Sequence, residues 1–134
     1  MYSLNEIEEK ISLAKAVKLS GAELLEDRER AVRVCNGIGA AWMPEYLRDW
    51  ICTLNPTLVL AADIHDIRYE IGGTEADREA ADDEMLANGI RLADYRYGWY
   101  DPRRYLVRMQ MRKFYAILRE FGGWAWKGEE DGNA

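Results

Sequence analysis

A chain of 134 residues fits one domain and can bury roughly two thirds of its unfolded surface, so it needs no disulfide framework to fold. Its 49% hydrophobic and 31% charged content is that of an ordinary soluble globular domain. The net charge of −6 argues against general nucleic-acid binding, which depends on many phosphate-neutralising cations.

The sign of the charge is uneven. Acidic residues dominate from Asp63 to Glu84, whereas Arg103, Arg104, Arg108, Arg112, Lys113 and Arg119 crowd the stretch after Pro102. Cys35 and Cys52 are read as separate reduced thiols, and with a single histidine they cannot complete a four-ligand zinc site. No stretch is apolar for the length of a membrane span. Met1 to Glu6 is acidic and amphipathic rather than a signal peptide, so the expectation is a cytoplasmic protein, in the host cytoplasm or virion-associated, or one that leaves the cell by a route the sequence does not encode.

Ser3-Leu4-Asn5-Glu6 reads as a capping box opening a first helix. Ile7, Ile11, Ala14, Lys15 and Lys18 follow at helical spacing, Leu4, Leu13 and Val17 fill out an apolar stripe, and Gly21 is the expected stop. A second helical stretch, dense in alternating charge, covers Ala22 to Val34 and is read as a solvated helix over one side of the core. Cys35-Asn36-Gly37-Ile38-Gly39-Ala40 then breaks the periodicity. Its G-x-G spacing permits unusual backbone torsions and most often marks a turn; lacking a third glycine and a preceding strand, it is no dinucleotide fingerprint. Trp42, Tyr46 and Trp50 recur every four residues, a core-like stripe that would also suit a lipid surface.

Pro56 can open the next helix, predicted over Pro56–Ile71 and ended by Gly72-Gly73. Leu58, Ala62, His65 and Tyr69 line one face of it, and Asp66 points roughly 100° away from His65. His65 is the sole histidine. Its side chain suits proton transfer near neutrality, and Asp66 could hold a cation in a different direction. The alternative is that a lone histidine on a partly apolar face is simply a satisfied structural residue. Thr74 is a good N-cap for a helix over Thr74–Ala93, on which Asp82 shares a stripe with Met85, Leu86, Gly89 and Ala93. A carboxylate in an apolar stripe needs a partner. The tight Gly-Gly turn would run the two helices antiparallel and set Asp82 opposite His65, leaving Asp83 on the outer face.

Tyr95-Arg96-Tyr97-Gly98-Trp99-Tyr100 breaks the helical pattern, and Asp101-Pro102 caps a last long helix. Tyr105, Leu106, Met109, Ile117, Leu118 and Phe121 occupy its core-like positions. Arg104, Arg108 and Arg112 form a basic stripe, read as a solvated face paired with the acidic helices. Gly122-Gly123 ends the helix. The polar, acidic tail from Gly128 to Ala134 is expected to be disordered, leaving residues 1–127 as a single helical domain.

Together these pieces resemble the phospholipase A2-like fold. That family carries A-C-x-x-H-D-x-x-Y on a helix, matched here by Ala61-Ala62-Asp63-Ile64-His65-Asp66-Ile67-Arg68-Tyr69. Its second helix carries an aspartate, in minimal viral and prokaryotic forms within A/I-D-x-x-F/M, similar to Ala81-Asp82-Asp83-Glu84-Met85. Its C-G-x-G calcium loop resembles Asn36-Gly37-Ile38-Gly39, and Phe114 to Gly122 is similar to the end of bacterial members. The compact form looks like small proteins encoded by phages and prophages.

The resemblance implies an all-α, phospholipase A2-like fold, with two antiparallel core helices carrying a His/Asp site plus N- and C-terminal helices. It implies that His65 takes a proton from water attacking a glycerophospholipid ester, that Asp82 orients the imidazole, and that Tyr69 hydrogen-bonds this carboxylate. Asp66 and the carbonyls of Cys35, Gly37 and Gly39 would bind calcium. The family's disulfides are missing here, with Ala62 where Cys is frequent, and the gap between Gly39 and His65 is longer than in compact secreted enzymes. Two functions follow: calcium-dependent hydrolysis at a phospholipid membrane surface, or an inactive scaffold acting as a phage accessory protein that binds a host protein.

Overall fold

The computed structural model describes residues 2–35, 55–121, 123 and 126. Among the described residues it is all-helical, without strands. Helix α1 spans Leu4–Val17, a 3-10 turn spans Ala22–Glu26, and α2 spans Arg28–Val34. After a second 3-10 turn at Pro56–Leu58 come α3 (Val59–Ile71), α4 (Glu75–Arg96) and α5 (Pro102–Phe121).

The starts of α1 and α4 follow from local chemistry. Ser3 and Glu6 form the reciprocal capping box at α1, and Thr74 with Asp77 does the same at α4. At α5 the Asp101 carboxylate accepts from the Arg103 amide at 3.0 Å. The first helix stops earlier than its glycine suggested. Lys18 adopts the left-handed conformation with φ 62°, and the Lys18 and Leu19 amides close onto carbonyls of the last turn, including Ala14. The single helix expected over Ala22–Val34 is instead two pieces. Asp27 leaves helical geometry and its carboxylate caps the Arg30 amide, so a 3-10 turn gives way to a short α-helix.

Helices α3, α4 and α5 form the centre of the molecule. The α3–α4 turn requires Gly72 and Gly73, which sit at φ 73° and 134°, backbone torsions that a side chain resists. Opposite pairs fix the direction of α4 against α5. Asp94 meets Arg104 and Arg108, Asp83 meets Tyr115, and Asp82 meets Arg119, so one numbering falls as the other rises and the helices are antiparallel. At Gly89 α5 packs closely, and an added Cβ would overlap the Met111 side chain.

The core unites Ile7, Leu25, Leu58, Ile64, Ile67, Met85, Met111 and Leu118, all fully buried. Two expected stripes are shifted. On α1, Ile7, Ile11, Ala14 and Val17 face inward, but Leu4 and Leu13 are exposed. On α5 the inward face is Val107, Met111, Phe114 and Leu118, whereas Tyr105, Leu106 and Met109 lie outside. These three residues share an outer face with Arg112 and Lys113. Apolar residues occur on both sides of this helix, and the acidic neighbour Asp94 draws Arg104 and Arg108 toward α4, which selects the other apolar stripe for burial.

Asn88 secures the segment after α1 to α4. Its side chain accepts from the Ser20 amide at 2.9 Å and donates to the Ser20 carbonyl at 2.8 Å, satisfying both ends of a buried amide. The G-x-G segment from Asn36 to Ala40, the Trp42/Tyr46/Trp50 stripe and the tail from Gly128 lie outside the described residues. No helix among the described residues is long and apolar enough to cross a membrane.

Candidate active site

Helical spacing on α3 turns Ala62, His65 and Tyr69 inward, below Leu58 of the preceding turn, and all four are buried. The antiparallel turn brings α4 alongside, and its inward Asp82 meets them. His65 Nε2 lies 2.7 Å from Asp82 Oδ1, and the Tyr69 hydroxyl donates to the same oxygen at 2.7 Å. Asp82 is fully buried and His65 only 4% exposed, whereas Asp83 faces solvent, so Asp82 is the inward carboxylate. The imidazole and phenol rings pack 4.2 Å apart between centroids.

Burial opposes the Asp82 charge, but hydrogen bonds from His65, Tyr69 and Arg119 outweigh it and hold its carboxyl below the ordinary range. An ionised Asp82 accepts from Nε2–H, leaving Nδ1 as the nitrogen able to take a proton. Burial, followed by the bond to Asp82, pushes the Tyr69 hydroxyl upward, so it stays a donor.

Three contributors had no sequence signal beyond their charge or bulk. Arg119 Nη1 donates to Asp82 Oδ2 at 2.7 Å, occupying the oxygen that His65 leaves. Arg78 is buried with Nη1 3.8 Å from the same oxygen, and it donates to the Leu118 carbonyl at 3.2 Å, capping the end of α5. Trp126 packs edge-on against Tyr69 at 5.0 Å, and its indole N–H donates to the Gly73 carbonyl.

On another side of α3 stand Asp63 and Asp66. Asp63 is fully buried, contrary to its place in an acidic stretch. Tyr2 donates to its Oδ1 at 3.2 Å and the Lys10 ammonium lies 2.8 Å from Oδ2, a charge contact that misses hydrogen-bond alignment. The Cys35 thiol donates to the Asp63 backbone carbonyl at 3.4 Å and is buried. Burial, and then the Asp63 charge, push the Asp66 carboxyl well above its ordinary value. Of the four expected calcium ligands, Asp66 and Cys35 are among the described residues. Gly37 and Gly39 lie outside the described residues. Among the described residues, no group of three or more His, Cys, Asp or Glu side chains is placed to hold a metal.

Beside the α3–α4 turn a hollow of about 430 Å³ is lined by Arg68, Asp77, Ala81, Glu84 and Trp126 among others. A larger one, about 530 Å³, lies at the opposite end of α3 and includes neither His65 nor Asp82. No family model, curated protein or solved structure matches the chain.

Proposed function

We propose that the chain is a phospholipase A2-like esterase acting on glycerophospholipids. One observation carries this reading: the 2.7 Å contact between His65 Nε2 and Asp82 Oδ1, made across two antiparallel helices with Tyr69 on the same oxygen. It is the arrangement that the H-D-x-x-Y and A-D-x-x-M resemblance implies. His65 would take a proton from the attacking water at Nδ1, Asp82 would hold the tautomer and stabilise the imidazolium, and Tyr69 would fix the carboxylate. Calcium would be held by Asp66 and the carbonyls of Cys35, Gly37 and Gly39, and when bound would supply positive charge to the ester oxygen. The outer face of α5, with Tyr105, Leu106, Met109, Arg112 and Lys113, and the neighbouring Trp99 and Tyr100, suits a phospholipid surface. The test is release of fatty acid and lysophospholipid from mixed vesicles with and without millimolar calcium. Calcium-dependent release is expected, and none at any calcium concentration would overturn the assignment.

A specific observation favours a second reading. Asp82 is shared with Arg119, and His65 is almost wholly buried, as a structural clasp would be. In that case the scaffold is a phage accessory protein, and its exposed aromatic and basic surface binds a host protein. Such a protein would lack vesicle hydrolysis yet keep its biological effect when His65 is replaced.

A further inference from the structure

The larger hollow, about 530 Å³, forms where α1, the Asn55–Thr57 turn, the first turn of α3 and the end of α4 meet. That volume is typical of a small-molecule site. Leu13, Pro56, Val59, Leu60 and Leu92 wall it with apolar surface, and Leu60 and Leu92 belong to the rigid core. Among the described residues its charged lining consists of Lys10 and Arg96. No carboxylate among the described residues lines it, although acidic residues outnumber basic ones in the chain, 24 to 18.

Donors gather at the end of this hollow. The Asn55 side-chain amide donates to the Tyr97 hydroxyl at 3.3 Å, and the Asn55 backbone amide donates to Gln110. The Arg103 guanidinium, paired with the Asp101 carboxylate at 2.7 Å, sits over the Tyr97 ring, 4.8 Å from its centroid. The bond from Asn55, the largest cause, helps to draw the Tyr97 hydroxyl below its ordinary value. Lys10 is already committed to the buried Asp63, so Arg96, on the exposed last turn of α4, is the cation at the rim.

We propose that this hollow is a second binding site, for a monoanionic amphiphile. The ligand is an aliphatic chain ending in a carboxylate, the chain lying against Leu13, Val59 and Leu60 and the carboxylate at Arg96 and Asn55. The site stands independently of the esterase reading. Its residues are not those of the His65–Asp82 pair, and Leu60 precedes His65 by five residues, roughly 8 Å along α3.

Calorimetric titration of the full chain with decanoate, decanol and decylamine tests it. Decanoate should saturate one site, decanol should bind about tenfold more weakly, and decylamine should not bind. Arg96→Glu should weaken decanoate by about tenfold or more without affecting decanol, and Leu13→Trp should fill the hollow and weaken both. Both positions are exposed, so circular dichroism and the unfolding midpoint should stay near the wild-type values. Absence of saturable decanoate binding would overturn the proposal, as would equal affinity for decanol or undiminished decanoate affinity in both variants.

Discussion

Arg119 holds the oxygen of Asp82 that His65 does not touch: Nη1 donates to Oδ2 at 2.7 Å, while the imidazole faces Oδ1. The buried carboxylate is thereby satisfied on both sides, and the end of α5 is fastened to the α3–α4 pair. Arg119→Met should lower stability by about 1–2 kcal/mol, the lower part of the range for a charged hydrogen bond, because the arginine is partly exposed and Arg78 remains nearby. Urea unfolding of Arg119→Met, Asp82→Asn and the double variant would measure the coupling. Additive effects would show that the contact contributes nothing.

The two sets of carboxylates should respond oppositely to pH. The carboxyl of Asp82 is depressed in the fold, so its contribution is present above about pH 4 and is lost as pH falls through its folded value. The carboxyl of Asp66 is raised, so its contribution is present in acid and is lost as pH rises through its folded value. Asp66→Asn should therefore raise stability at neutral pH in calcium-free buffer, on the order of 0.5–2 kcal/mol, and flatten the decline above pH 4. Calcium should stabilise the wild type and leave this variant unmoved. Denaturant midpoints between pH 4 and 8, with and without calcium, decide both points.

Gly89 gives a packing prediction. An added Cβ would overlap Sδ and Cγ of Met111, so Gly89→Ala gains about 1 kcal/mol of helix propensity but incurs about 1–3 kcal/mol of overpacking. A net loss near 1 kcal/mol is expected. Met111→Ala alone should leave a cavity, since Met111 is fully buried, but in the double variant the new methyl should refill part of it. Thermal melts of all three would show whether the sites couple.

Much of this was legible in local chemistry. The capping residues Ser3 and Thr74, the stop at Gly72-Gly73 and the pairing of His65 with Asp82 follow from helical spacing and from the cost of burying a lone carboxylate. What escaped was decided between distant segments. Asp63 reads as one of many acids until Lys10 and Tyr2, fifty or more residues earlier, fold over it. On α5 the expected Leu118 is buried but Tyr105, Leu106 and Met109 face out, because that helix carries apolar residues on two sides and contacts from α4, at Gly89 and Asp94, bear on which one is buried. Arg78 and Arg119 carry no local signal beyond their charge, yet one caps a helix end and the other completes the Asp82 site.

The last prediction separates the two functional readings through one residue. Glutamine at position 65 keeps a group able to donate to Asp82 but cannot act as a general base near neutrality. Tyr69 and Arg119 continue to satisfy the carboxylate, so His65→Gln should fold with a loss of about 1–2 kcal/mol. If the chain is an esterase, phospholipid hydrolysis should fall by about 10²–10⁴-fold, because His65 is the only histidine and no other side chain at this site is suited to replace it. If the chain is a binding scaffold, His65→Gln should keep its biological effect. Reversing charge at Arg112 and Lys113, on the outer face of α5, should then abolish that effect through lost complementarity. A folded His65→Gln protein with undiminished activity in cells would end the esterase reading, whereas loss of both hydrolysis and biological effect in that folded variant would end the scaffold reading.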